Sequence, residues 1–144
     1  MDDRSEHTDV DPGPLTTKPT QPGASPDSPA ERPESLSGRT YKIIWPGSPH
    51  ATYVTISDVM EDGKRRPFEM FINSKNMEHY AWTVALTRMI SAVFRRGGDV
   101  SFVAEELKAI FDPRGGEWID ARYVPSLLAA IGDVVERHLN EIDA

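Results

Sequence analysis

Three segments in the middle of the chain alternate apolar and polar side chains with a period of two, which is typical of strands with one buried face. Turn-forming residues separate them, PGSP at positions 46–49 and EDGK at positions 61–64. Short turns between such segments favour neighbouring strands that run in opposite directions. The pattern therefore predicts a three-stranded antiparallel meander, whose inward positions are Tyr41, Ile43, Trp45, Val54, Ile56, Phe68, Met70 and Ile72.

Three later segments follow the helical period of 3.6 residues. The first runs from about 77 to 96, with Ser74 and Asn76 as candidate caps, and its apolar residues cover most of the circumference. Burial on several sides is the expectation for such a central helix. Shorter helices are predicted over about 101–111 and 125–140. The predicted fold class is α+β, a small three-stranded antiparallel sheet covered on one face by about three helices.

The first 34 residues differ from the rest in composition. They hold seven of the twelve prolines, and eight acidic against three basic side chains give them −5 of the total charge of −7. Almost no apolar side chain is present to offset the entropy lost on ordering a backbone, so disorder is expected. We predict a disordered Pro/Ser/acid-rich tail over residues 1–34 and one α+β domain over residues 35–144.

Charge and hydropathy narrow the possible partners. A net charge of −7 argues against a nucleic-acid binder, because phosphate contacts need clustered lysine and arginine. No apolar run reaches the 18 to 20 or so residues that cross a bilayer, and the N-terminus lacks the pattern of a signal peptide. A cytoplasmic protein without membrane contact is expected.

Cysteine is absent from all 144 residues, which excludes disulfides, thiolate metal ligands, thiyl radicals and cysteine nucleophiles. The four histidines show no HxxxH or HExxH spacing, so no metal site is predicted. The segment DPRGG, residues 112–116, lacks the spacing of phosphate-binding glycine loops and follows a helix rather than preceding one. No catalytic constellation is found.

Five residues are candidates for contact with a partner or an anion. Arg88, Arg95 and Arg96 project from similar faces of the first predicted helix, and together with the basic turn at residues 64–66 they could hold a phosphate or an acidic segment. The other two candidates lie near a loop that ends the second predicted helix, where contact residues are common. The alternative is that the helical arginines only complement the dipole at the end of that helix, and that tryptophans belong to the core. The candidates are Arg88, Arg95, Arg96, Arg114 and Trp118.

The order of several segments resembles a known family. RPESLSGRTYKIIWPG, GKRRPFEMFINSKN and AWTVALTRMISAVFRRGGDVSFVAEELKAIFDPRGG are similar to the C-terminal accessory domain of adenosylcobalamin-dependent (class II) ribonucleotide reductases, the TSCPD domain. The resemblance covers about residues 32–140. The Thr-Ser-Cys-Pro-Asp signature is absent, and residues 112–116 stand in its place.

This resemblance implies an accessory subunit or detached domain of a vitamin B12-dependent ribonucleoside-diphosphate reductase, acting in deoxyribonucleotide synthesis. In that family a cysteine radical activates the ribose and a cysteine pair is oxidised, so a larger catalytic chain would have to supply the cysteines. The chain itself would bind no cofactor, and adenosylcobalamin is expected on the partner. The alternative is an independent regulatory module that binds an acidic partner or a nucleotide through its arginines. An enzyme in its own right is a third option, for which no residue constellation is found.

Overall fold

In the computed structural model, which describes residues 31–143, the three predicted strands form one antiparallel sheet. The strands are β1 (Ser37–Ile43), β2 (Thr52–Glu61) and β3 (Lys64–Ser74), in the order β1-β2-β3. The α+β class and the meander are therefore confirmed. β2 and β3 are both longer than the alternation alone indicated, because their pairing continues up to the turn, where Glu61 pairs with Lys64.

A β-bulge interrupts the pairing of the two longer strands. Ser57 pairs with Glu69, but the next residue, Asp58, pairs with Pro67, so Phe68 is the extra residue of β3. The bulge lies in a run of four consecutive buried residues, from Pro67 to Met70. A carboxylate, that of Glu69, is consequently buried in the edge strand.

Three helices complete the domain: α1 (Tyr80–Arg96), α2 (Ser101–Lys108) and α3 (Leu127–Asp143). α1 packs on β3, α3 contacts all three strands, and α2 packs on α3. Residues from one face of the sheet and from all three helices share a single core. Within residues 31–143, no helix combines the length and the hydropathy that crossing a membrane requires.

The contact between α2 and α3 depends on Gly132. A Cβ atom at this position would lie 2.9 Å from Leu107 Cβ and from the backbone nitrogen of Lys108. Only glycine lets the two helices approach this closely without displacing backbone atoms. α2 therefore joins the core mainly through α3.

The expected burial of α1 on several sides is wrong. Its buried residues, Thr87, Ile90, Ser91 and Phe94, form one stripe, whereas Trp82 is 79% exposed and is among the most exposed large apolar side chains. The reason is that α1 packs mainly against β3, on one side of the helix. The other side of the helix faces solvent.

The predicted caps of α1 serve a different purpose. The helix begins after His79, which makes no side-chain capping bond. Ser74 Oγ accepts a hydrogen bond from the Asn76 backbone N–H at 3.2 Å, and Asn76 Oδ1 accepts one from the Glu78 N–H at 3.0 Å. These side chains thus fix the turn that leads from β3 into α1.

A second, two-stranded sheet was not predicted. β4 (Glu117–Ile119) and β5 (Arg122–Val124) pair antiparallel between α2 and α3. Three-residue strands carry too little alternation to be recognised from the sequence. The hairpin follows directly after residues 112–116 and leads into α3.

The hydroxyl of Ser91 joins α1 to the edge of the sheet. It accepts a hydrogen bond from the Met70 N–H at 2.9 Å and donates one to the Met70 carbonyl at 3.2 Å, in a buried position. We expect Ser91→Ala to lower the free energy of unfolding by about 1–3 kcal/mol, because both backbone groups lose their partner. Urea unfolding against Ser35→Ala, a change at an exposed serine, measures this; equal losses would show that the bridge contributes little.

Candidate functional site

The three predicted arginines of α1 do not form one cluster. Arg88 and Arg96 are exposed, while Arg95 is half-buried. The guanidinium of Arg95 lies over the ring of Phe68, 5.3 Å from its centroid, and 3.6 Å from Glu69 Oε2. Arg95 is therefore engaged by its own domain, and the other two remain accessible.

A buried carboxylate explains why Arg95 turns inward. Glu69 is 2% exposed, and Arg32, which precedes β1, holds it with two bonds, Nε to Oε2 at 3.0 Å and Nη2 to Oε1 at 2.9 Å. The hydrogen bond with Glu69, followed by the charge attraction, raises the pKa of Arg32 above its usual value. A buried carboxylate requires such partners. Arg32 thereby attaches the residues before β1 to the sheet.

The remaining two candidates lie in the segment between α2 and α3. Trp118 on β4 is 71% exposed, and Arg114 in the preceding loop is exposed as well. The ring centroids of Trp118 and Tyr123 lie 5.6 Å apart across the hairpin. Phe111, three residues after the end of α2, is also largely exposed. We call Phe111, Arg114, Trp118 and Tyr123 the hairpin patch.

Local hydrogen bonds hold the hairpin patch in shape. The Gly116 N–H donates to the Tyr123 hydroxyl at 2.9 Å, and the Asp112 N–H donates to the Pro125 carbonyl at 3.2 Å. Gly116 also lies against the other strand, where a Cβ atom would come within 2.2 Å of the Val124 carbonyl oxygen. The aromatic rings therefore project from a backbone that is already ordered.

The tip of the hairpin carries backbone strain. Asp120 and Ala121 both adopt positive φ, 49° and 62°, in a turn where Asn-Gly or Asp-Gly would be preferred. For alanine this left-handed conformation costs about 1–2 kcal/mol. Arg122, next in the chain, forms an ion pair with Asp133 of α3.

A second polar centre lies between α3 and the sheet, and the sequence analysis did not predict it. Tyr41 hydroxyl and His138 Nδ1 are 2.8 Å apart, and His138 Nε2 and Asp58 Oδ1 are 2.7 Å apart. The three residues come from β1, α3 and β2, and all are buried, His138 completely. The Tyr41 hydroxyl also donates to Glu141 Oε2 at 3.1 Å.

This Tyr-His-Asp arrangement resembles a proton relay but cannot serve as one for a substrate. A relay needs a reacting group within hydrogen-bond reach of the base. Both ring nitrogens of His138 are occupied by protein groups, and its exposed fraction is 0%. The network therefore fixes α3 on the sheet.

At its outer end the network becomes a surface ion cluster. Glu141 pairs with Arg39 and with Arg137, whose guanidinium also lies 5.4 Å from the Tyr41 ring centroid. The hydrogen bond from Arg137 is the largest cause that lowers the pKa of Glu141. Two surface depressions of about 500 and 470 Å³ flank Arg137, and ion-paired side chains line both. Lys42, which also lines the second depression, is exposed and has no ion-pair partner among residues 31–143.

Residue types that bind metals are scattered. Among residues 31–143, no three histidine, aspartate or glutamate side chains come together as a possible metal site. The sequence did contain one signal for the buried network: His138 occupies a position on the apolar stripe of α3, where a polar residue requires a partner. Its partners, 80 and 97 residues away, could not be identified from spacing.

Comparison with known proteins assigns the family. Residues 20–139 match the TSCPD domain family, which is more than four-fifths of the chain. No curated protein and no solved structure matches. The chain belongs to the TSCPD domain family.

The match begins at residue 20, whereas the predicted domain begins at residue 35. Arg32, which binds Glu69, lies between these two positions. Residues 1–30 lie outside the described part of the chain, so the predicted disorder of the tail and its boundary stay predictions.

Tyr41 makes the stability of the fold sensitive to alkali. Burial, with a further contribution from Glu141, raises the pKa of its phenol above the usual 10.0. The folded state holds this proton to higher pH than the unfolded chain does, so stability present below pH 10 is lost as the pH rises through the folded pKa.

We expect Tyr41→Phe to lower the free energy of unfolding by about 1–3 kcal/mol at neutral pH, because His138 Nδ1 loses its partner. The variant should also lose less stability than the unmodified protein when the pH is raised above 10. Urea unfolding across this range measures both effects, with Tyr53→Phe, a change at an exposed tyrosine, as the control. Parallel curves for the unmodified protein and Tyr41→Phe would contradict the assignment.

Proposed function

We propose that the protein is an accessory, non-catalytic component of an adenosylcobalamin-dependent ribonucleotide reductase. Its role is to dock on a separate, cysteine-containing catalytic chain that carries the cobalamin. One pair of facts carries the proposal: the chain belongs to the TSCPD domain family over residues 20–139, and it contains no cysteine. The sequence resembles the accessory domain of these reductases and lacks the groups that perform their chemistry.

The chemical step requires sulfur. In the reductases that the sequence resembles, a thiyl radical activates the ribose and a dithiol is oxidised to a disulfide while the ribonucleotide is reduced. Neither an electron pair from a dithiol nor a hydrogen-abstracting thiyl group can come from this chain. Both would reside on the catalytic partner, which would leave binding as the contribution of this protein.

The hairpin patch is the proposed docking surface. It combines aromatic side chains with an arginine, the residue types enriched at energetic hot spots of interfaces. Trp118 is held against Tyr123 and projects from an ordered hairpin, so little side-chain entropy remains to be lost on binding. The strained turn at Asp120 and Ala121 is the further support for function at this hairpin.

The other hypothesis, a regulatory module that binds an acidic ligand or nucleotide through clustered arginines, has less support. Arg95 already contacts Glu69, and Arg114 lies on a different segment from Arg88 and Arg96. The engagement of Arg95 reduces the number of guanidinium groups that such a site could use. Accessory docking is the function we retain.

The proposal is tested with the full chain and a cobalamin-dependent reductase chain, encoded in the same genome, that lacks a TSCPD domain. Calorimetric titration in the presence of adenosylcobalamin should detect a complex. Trp118→Ala should weaken it by about 30-fold or more, the loss typical of a buried hot-spot tryptophan. Tyr53→Ala, which removes an exposed aromatic ring from the open face of the sheet, is the matched control.

Ribonucleotide turnover by the catalytic chain should rise when this protein is added. Absence of any complex and an unchanged turnover would overturn the accessory role. A complex that survives Trp118→Ala together with Arg114→Ala would retain the role but place the docking surface elsewhere. Reduction of ribonucleotides by the purified chain alone would refute the assignment entirely.

A further inference from the structure

The solvent side of α1 carries an apolar seam where a surface helix normally carries polar residues. Trp82, Ala85, Met89 and Ala92 follow one another at spacings of three, four and three residues, and all four are exposed. Trp82 is 79% and Met89 67% exposed. At 100° per residue these positions lie opposite the core-facing stripe of Thr87, Ile90, Ser91 and Phe94. Apolar stripes on two opposite faces indicate a helix with a packing partner on each side.

We propose that the seam is the interface between two copies of this chain, whose α1 helices pair antiparallel about a twofold axis. The spacing of three and four residues is that of the contact line between two paired helices. Along the seam a large side chain alternates with a small one: Trp82, Ala85, Met89, Ala92. This order determines how a second copy fits.

The alternation is self-complementary when one helix is reversed. With the twofold axis near Thr87, Trp82 of one copy lies level with Ala92 of the second copy, and Ala85 lies level with Met89. Every layer then pairs one large with one small side chain, which fills the space between two close helices without voids. A parallel pair would instead place tryptophan on tryptophan and alanine on alanine.

The same register matches opposite charges at both ends of the seam. Glu78 lies in the turn just before α1, four residues before Trp82, and Arg96 is the last residue of α1, four residues after Ala92. The antiparallel pairing therefore brings the Glu78 end of one copy beside Arg96 of the other, twice in the dimer. Both side chains are exposed, and within its own chain Glu78 approaches only His79, at 3.9 Å, among the ion pairs of residues 31–143. The charges therefore select the register that the apolar layers favour.

The expected affinity is modest. The 17 residues of α1 span about 25 Å, and two such helices bury roughly 1,000 Å² in total, near the lower limit of specific interfaces. Interfaces of this size are typical of weak, reversible association. Arg88 flanks the seam near the axis, where the two copies would bring like charges together, so the pairing does not depend on it. The inference concerns α1 alone and stands independently of docking through the hairpin patch.

Sedimentation equilibrium of the full chain tests the proposal. We expect a concentration-dependent shift from the 16.1 kDa monomer toward twice that mass. Met89→Glu should weaken association at least tenfold, because it places a carboxylate in a dry layer next to the axis. Arg88→Ala, on the same helix, should not weaken it.

Charge exchange tests the register. Glu78→Arg and Arg96→Glu, each alone, create two like-charge pairs and should both weaken association. Mixing the two variants should restore it, because a heterodimer then has opposite charges at both ends, and the double variant should associate like the original chain. Circular dichroism of each variant checks that α1 remains folded.

Each outcome decides the proposal. A chain that stays monomeric well above 100 µM, or association unaffected by Met89→Glu, overturns it. Single exchanges that weaken association without rescue on mixing would exclude the antiparallel register. A monomeric chain whose Met89→Glu variant loses affinity for the reductase chain would assign the seam to that partner and refute the homodimer.

Discussion

The position of α3 on the sheet depends on one fully buried imidazole. His138 joins Tyr41 of β1 to Asp58 of β2, so the helix is tied to two strands by polar contacts inside an apolar core. Removing either partner would leave a buried polar atom without a hydrogen bond, which costs far more than the bond itself contributes. α2 packs on α3, and the β4–β5 hairpin is attached to it through Arg122 and Asp133. The positions of α2, α3 and the β4–β5 hairpin therefore depend on this link together with the apolar core.

The two surfaces proposed for binding, the seam and the hairpin patch, lie on different elements of the domain. α1 is fixed to the edge strand by Ser91 and presents an apolar seam on its other side. The hairpin patch, in the segment between α2 and α3, presents aromatic rings and the guanidinium of Arg114. Several titratable groups with close partners, among them Glu69, His138 and Glu141, hold elements of the fold together.

Local sequence patterns predicted most elements but not their environment. The alternation of Val54 and Ile56 indicated a half-buried strand, and both are fully buried. Trp82 and Met89 were misjudged because an apolar helix face looks the same whether a core or solvent lies beside it. The β4–β5 hairpin escaped prediction because its turn uses Asp120 and Ala121 in a conformation that glycine or asparagine normally signals. Arg95 was predicted as a contact residue, yet Glu69 draws it inward.

The sequence by itself determined the periods of strands and helices, and its lack of cysteine excluded thiol chemistry on this chain. Those properties follow from composition and from neighbours a few residues apart. Only the tertiary structure decided which face of α1 is buried, that Arg32 would neutralise Glu69, and that His138 would meet Asp58 across 80 residues. The physical reason is that a buried polar group must find a partner in space, and packing, not spacing along the chain, brings that partner within reach.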